Sequence, residues 1–206
     1  MTHINTPTSA SVLARLRAIC PRRALTSHEA QRIAEHQAAL LLDLSAVTAG
    51  PVRLDILSRL PRIRLGTEVG MPASGASFWD GHDWRLVANR DEHPNRQRFT
   101  LLHEYKHVID HPVRDLLYRT EADRERVADH FAACVLMPRL LVTRAWCAGE
   151  QDVHLLADHF AVSPLAMERR LRELGHLSST STLRRRFCRR GLPGPRLALT
   201  LPGGTP

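Results

Sequence analysis

Two histidines four residues apart, with a glutamate beside the first, stand at His103-Glu104-Tyr105-Lys106-His107, an HExxH pattern. On a helix, residues i and i+4 share a face, so both imidazoles can reach one cation while Glu104 borders the same space. These residue types suit hydrolysis at a metal: nitrogen ligands hold the ion, and a carboxylate that is not a ligand carries a proton. A catalytic zinc usually takes three protein ligands and keeps a fourth position for water, so a third ligand is expected downstream.

The run Glu125-Arg126-Val127-Ala128-Asp129-His130-Phe131-Ala132-Ala133 meets that need. Glu125, Asp129, Ala132 and Leu136 fall on one helical face, two carboxylates beside small residues that permit close helix approach. Glu125 is assigned to the metal, and Asp129 to the role of accepting the free N–H of a ligating histidine. Glu121, one turn earlier, is the competing third ligand. Two His and a carboxylate suit Zn2+, one per chain, although Mn2+ accepts the same set. A fourth histidine ligand would close the open position, so His111 is read as outside the set. His130, His154 and His159 show no usable ligand spacing. Tyr118, between the two metal helices, is a candidate donor to the oxyanion of the transition state.

The elements that must position these residues follow from period and punctuation. Helices are expected over about 95–111, 119–136, 138–147, 152–160 and 164–174. Upstream, Thr26 with Glu29 three residues on forms a capping box for a helix to about Leu42. Pro51 at a first turn predicts a short helix, VRLDILSRL, that Pro61 stops. Ile63 and Leu65 alternate with arginines, and Ala76–Trp79 and Trp84–Ala88 flank an Asp80-Gly81 turn, which predicts a small antiparallel sheet, a β-meander before the metal helix. Residues 1–25 read as a loose segment with one short helix near Ser11–Cys20. The core is expected over 26–150, a helix-turn-helix-like pair over 151–176, and an Arg/Pro/Gly-rich disordered tail over 177–206. The class is α+β and mainly helical.

Composition agrees: hydrophobic residues are 43% of the 206, but aromatics only 5%, so Leu, Val, Ile and Ala must build the core. No signal-like or membrane-spanning apolar run is present, and four cysteines without a CxxC pair suit reduced thiols, so a cytoplasmic protein is expected. The net charge of +8 is concentrated in the tail, where 177–206 hold six arginines and no acid. Nucleic acid is therefore a candidate partner of the tail alone.

Arg98-Phe99-Thr100-Leu101-Leu102-His103-Glu104, then Glu125-Arg126-Val127-Ala128-Asp129-His130-Phe131-Ala132, then Leu136-Met137-Pro138 together resemble the ImmA/IrrE-type metallopeptidase domain over roughly residues 26–175. The resemblance implies a zincin-like fold and a zinc endopeptidase, typically bacterial, that cuts a helix-turn-helix repressor to release stress or mobile-element genes. The chain departs at Tyr105-Lys106, where that family usually has Leu-Gly, and losing Gly removes a point of close backbone approach. A non-catalytic DNA- or protein-binding regulator on the same fold is the alternative, as is a toxin–antitoxin component. For the former, Leu155–Leu171 looks like helix, turn, helix, but Ala161 stands where Gly is common and Glu168 suits a DNA groove poorly.

Overall fold

The computed structural model describes residues 11–178. In chain order these are α1 (Val12–Ala18), α2 (Ser27–Leu44), α3 (Asp55–Ser58), β1 (Ile63–Glu68), β2 (Gly75–Trp79), β3 (Trp84–Asn89) and α4 (Pro94–Asp110). They continue as α5 (Arg114–Leu117), α6 (Glu121–Leu136), α7 (Arg139–Cys147), α8 (Val153–Phe160) and α9 (Pro164–Glu173). The fold is mainly helical with one small sheet, as the sequence predicts. Among the described residues no helix is long and apolar enough to cross a membrane. The expectations for the arginine tail fall on residues 179–206, outside the described ones.

The metal helix α4 sits between two layers. It packs on β2 and β3 on one side and on α6 on another, while α6 also packs on α2. The stripe Leu101, Tyr105 and Val108 is buried, as its spacing predicts, with Leu102 and Ile109 beside it. Each such side chain contributes about 1.5–3 kcal/mol of transfer free energy, enough to fix which face of α4 turns to the core. Pro94 occupies the first turn and the His93 ring accepts from Asn95 N at its start. Thr120 caps α6, whose first turn holds Glu121 and Asp123, acids placed favourably at a positive helix end.

The sheet is the main correction to the sequence reading. β2 and β3 are antiparallel across the Asp80-Gly81 turn, but β1 pairs with β3 in parallel, giving the order β1-β3-β2. It is therefore a mixed sheet and not a meander. Alternation reports which face of a strand is buried and is silent on which neighbour it pairs with. The signal that was there is Leu86-Val87-Ala88, an unbroken apolar run, buried on both faces as a central strand must be.

A second correction lies at 51–60, where the helix covers only Asp55–Ser58 and Pro51 stands outside it. Arg98 of α4 donates to the Val52 carbonyl at 2.5 Å, which holds that backbone in a non-helical course. The same guanidinium donates to the Ala161 carbonyl at 2.6 Å, tying the α8–α9 turn to α4. Ala161 adopts φ 51°, the left-handed conformation that glycine takes more cheaply. The capping box at Thr26 forms in both directions. Within 1–25, the short helix is anchored: Leu16 is buried, and Arg17 donates to the carbonyls of Val108 and Ile109 at the end of α4.

Candidate metal centre

His103 and His107 leave α4 on one face and Glu125 reaches them from α6, so each ligand candidate rides on a packed helix. The Nε2 atoms of the two histidines are 3.0 Å apart. Glu125 places Oε2 at 3.1 Å from His103 Nε2 and Oε1 at 3.3 Å from His107 Nε2. Donors held about 2.0–2.1 Å from a tetrahedral ion are about 3.4 Å apart, so this triangle lies within a few tenths of an ångström of what zinc requires. The three residues form the one group of convergent His, Cys, Asp or Glu donors among the described residues. Two imidazoles and a carboxylate, with no thiolate, fit Zn2+ or Mn2+.

Asp129, one turn after Glu125, lies 2.9 Å from His103 Nδ1. With Nδ1–H donating there, the neutral ring carries its lone pair on Nε2, aimed at the other two donors. This contact holds the Asp129 carboxyl below its ordinary range, the His103 hydrogen bond outweighing partial burial. Burial alone would depress His103, but the Asp129 hydrogen bond and the charges of Asp129, Glu125 and Glu104 raise it above its usual value. Burial followed by the His103 charge pushes His107 down to about 4.

Glu104 does not join the triangle. It accepts a 2.7 Å hydrogen bond from Ser77 Oγ on β2, and burial raises its pKa, with help from the Glu125 charge, despite Ser77 and His103. Nothing in the sequence spacing pointed to Ser77, 27 residues upstream, because only the sheet brings it to α4. The strand comes this close because residue 75 is glycine. A Cβ there would stand 2.3 Å from Thr100 Cγ2 and 2.8 Å from the Val87 carbonyl oxygen. Tyr105 and Lys106, the departures from the family pattern, are fully buried.

Tyr118 donates from its hydroxyl to Asp110 Oδ2 at 2.5 Å, and burial followed by the Asp110 charge raises its pKa. Its proton is directed to that carboxylate. Glu121 is exposed and pairs with Arg124. His111 lies edge-on to Trp84 with centroids 4.9 Å apart, and His130 Nε2 is 3.5 Å from Cys134 Sγ. Beside the triangle opens a cavity of about 340 Å³, lined by Ser77, Glu104, His107 and Glu125 and also by Arg114 and Arg124, which the sequence reading passed over.

A helical α+β domain thus carries an HExxH helix and a His-His-Glu donor triangle. The chain belongs to the Peptidase_M78 family, whose IrrE N-terminal-like domain matches residues 68–172. Among solved structures it is similar to a Mycobacterium tuberculosis transcriptional regulator, at 21% identity and a TM-score of 0.49, over 79% of this chain and 52% of that one. The chain thus spans about half the length of that neighbour. No curated protein matches it significantly.

Proposed function

We propose that the protein is a zinc-dependent endopeptidase whose substrate is a helix-turn-helix transcriptional repressor, cut in the cytoplasm to relieve repression of stress or mobile-element genes. The observation that carries the peptidase reading is Glu104: a carboxylate beside three convergent donors, outside their triangle, and buried enough for its proton affinity to rise. His103, His107 and Glu125 would hold a divalent cation, which would supply Lewis acidity and a water of lowered pKa, toward about 7. Glu104 takes the proton of the attacking water and passes it to the leaving amine, a role worth about 10²–10⁴ in rate. Ser77 keeps Glu104 oriented between these two transfers, and Asp129 keeps the His103 ring in the ligating tautomer. Residues 26–150 form the catalytic core in this reading, completed by the α8–α9 pair.

The rival reading, a regulator that binds DNA through α8 and α9, is weakened by the charges on α9. Arg169 pairs with Glu173, Arg172 with Glu168, and Arg170 is buried, so the helix offers little uncompensated charge to phosphate. The proposal is tested by incubating the zinc-loaded protein with the helix-turn-helix repressor of a neighbouring gene, followed by mass spectrometry. Two fragments from one cut are expected, and an intact repressor with equal transcriptional release would favour the binding regulator.

A further inference from the structure

We propose that the cavity beside the donor triangle selects a substrate carboxylate and that Arg114 reads it. The proposal rests on the peptidase reading, because Glu104, His107 and Glu125 form one wall of the cavity and a group seated there is next to the bond being cut.

Around the cavity the acids are already engaged. Asp110 receives Lys106 Nζ at 2.6 Å and the Tyr118 hydroxyl at 2.5 Å, Glu104 receives Ser77, and Glu125 is turned to the two imidazoles as a candidate metal ligand. The arginines are engaged only in part. Arg114 has one acid partner among the described residues, the adjacent Asp115, at 3.5 Å from Nε. That carboxylate side chain is 91% exposed, and such a pair contributes little. Arg124 is held through Nη2 by Glu121, while its Nε is buried without a hydrogen-bond partner, 3.9 Å from Glu125. Arg124 therefore keeps one buried donor at the cavity without an acceptor, which costs free energy that an arriving acceptor recovers, and beside it the half-exposed Arg114 guanidinium is held only by that weak surface pair.

The acceptor that fits is planar and anionic, since the guanidinium fork matches a carboxylate in two parallel hydrogen bonds. Trp84, set against His111, gives the cavity an apolar side that covers a short methylene stem. A lysine or arginine would meet like charge, and glutamine would carry no charge to match the two arginines. One chemistry has two sources: an Asp or Glu side chain next to the cut bond, or the free C-terminal carboxylate of the substrate.

The test uses the full-length, zinc-loaded Glu104→Gln protein, immobilised in 0.15 M salt, with a randomised dodecapeptide library as probe in amidated and free-acid forms. Retained peptides are sequenced by mass spectrometry, and the same column is run with Arg114→Leu added. Asp and Glu should be enriched about 10-fold at a single position, the scale of one charge-assisted hydrogen bond. The enrichment should vanish with Arg114→Leu and return in part with Arg114→Lys, although the arginine tail is unchanged in all three. Enrichment confined to the last residue of the free-acid library assigns the carboxylate to the chain end. A retained pool with the acid content of the input, however small, overturns the proposal, as does enrichment that survives Arg114→Leu. Cleavage of the library by the wild type is scored separately. Enrichment without cleavage would sink the peptidase reading and keep the pocket, and cleavage without enrichment would do the reverse.

Discussion

The helix α4 carries two polar clusters less than a turn apart, and they differ in one respect. At Lys106 and Asp110 the charges are buried, 1% and 2% exposed, and complete: Nζ meets Oδ1 at 2.6 Å, Tyr118 meets Oδ2, and Cys20 lies 3.6 Å from Oδ1. At His103, His107 and Glu125 the acceptors crowd together, with nitrogen facing nitrogen at 3.0 Å and no donor between them that serves all three. The first cluster is closed and gives a helix end something to hold. The second is open and needs a cation to make its geometry favourable. Buried polarity alone does not mark a functional site; polar groups that converge without satisfying one another do.

The largest effect is expected where the open cluster is emptied of a ligand. Purified protein should carry about one zinc per chain, and His107→Ala or Glu125→Ala should lose it, read by elemental analysis. Zinc retained in full by Glu125→Ala but lost by Glu121→Ala would move the third ligand one turn back. The closed cluster should respond in stability instead. Asp110→Ala leaves the buried Lys106 without its counter-charge and should cost about 3–5 kcal/mol in denaturant unfolding, with Lys106→Met far milder. Equal effects from the two would show that the pair does not act as a closed unit.

A smaller effect should come from the link between ligand and support. Asp129→Asn should weaken zinc binding by about 10- to 100-fold while leaving the fold intact. It should also flatten the pH dependence of the metal-free protein. Asp129 is lowered from its ordinary 3.8, so its contribution is present above that value and is lost as pH falls through the folded value. His103 is raised from its ordinary 6.5, so its contribution is present below that value and is lost as pH rises through the folded value. The pair therefore contributes fully between 3.8 and 6.5, and thermal melts of the metal-free wild type should show an excess there that Asp129→Asn lacks. Identical profiles would separate Asp129 from the site.

What the sequence made legible was local. The i, i+4 histidines, the Glu125 and Asp129 face, the Thr26 box and the bounds of α6 to within two residues follow from helical geometry acting over one or two turns. What it hid depends on distant segments meeting. Ser77 reaches Glu104, Gly75 lets the strand approach Thr100, and β3 slips between β1 and β2, and none of these leaves a mark in a window of a dozen residues. Lys106 is the instructive intermediate case. As a sequence departure it marked a lost glycine, but its partner Asp110 stood one turn away in plain sight, and only burial shows that the two form a pair.

If the open cluster performs chemistry, Glu104 carries its proton. The most direct measurement compares wild type with Glu104→Gln on one peptide library derived from a bacterial proteome, with zinc content and melting temperature recorded for both. Equal zinc, similar melting and cleavage reduced by about 10²-fold or more are expected in Glu104→Gln. Equal cleavage by the two proteins, or none by a fully zinc-loaded wild type on both the library and the repressor, would contradict it.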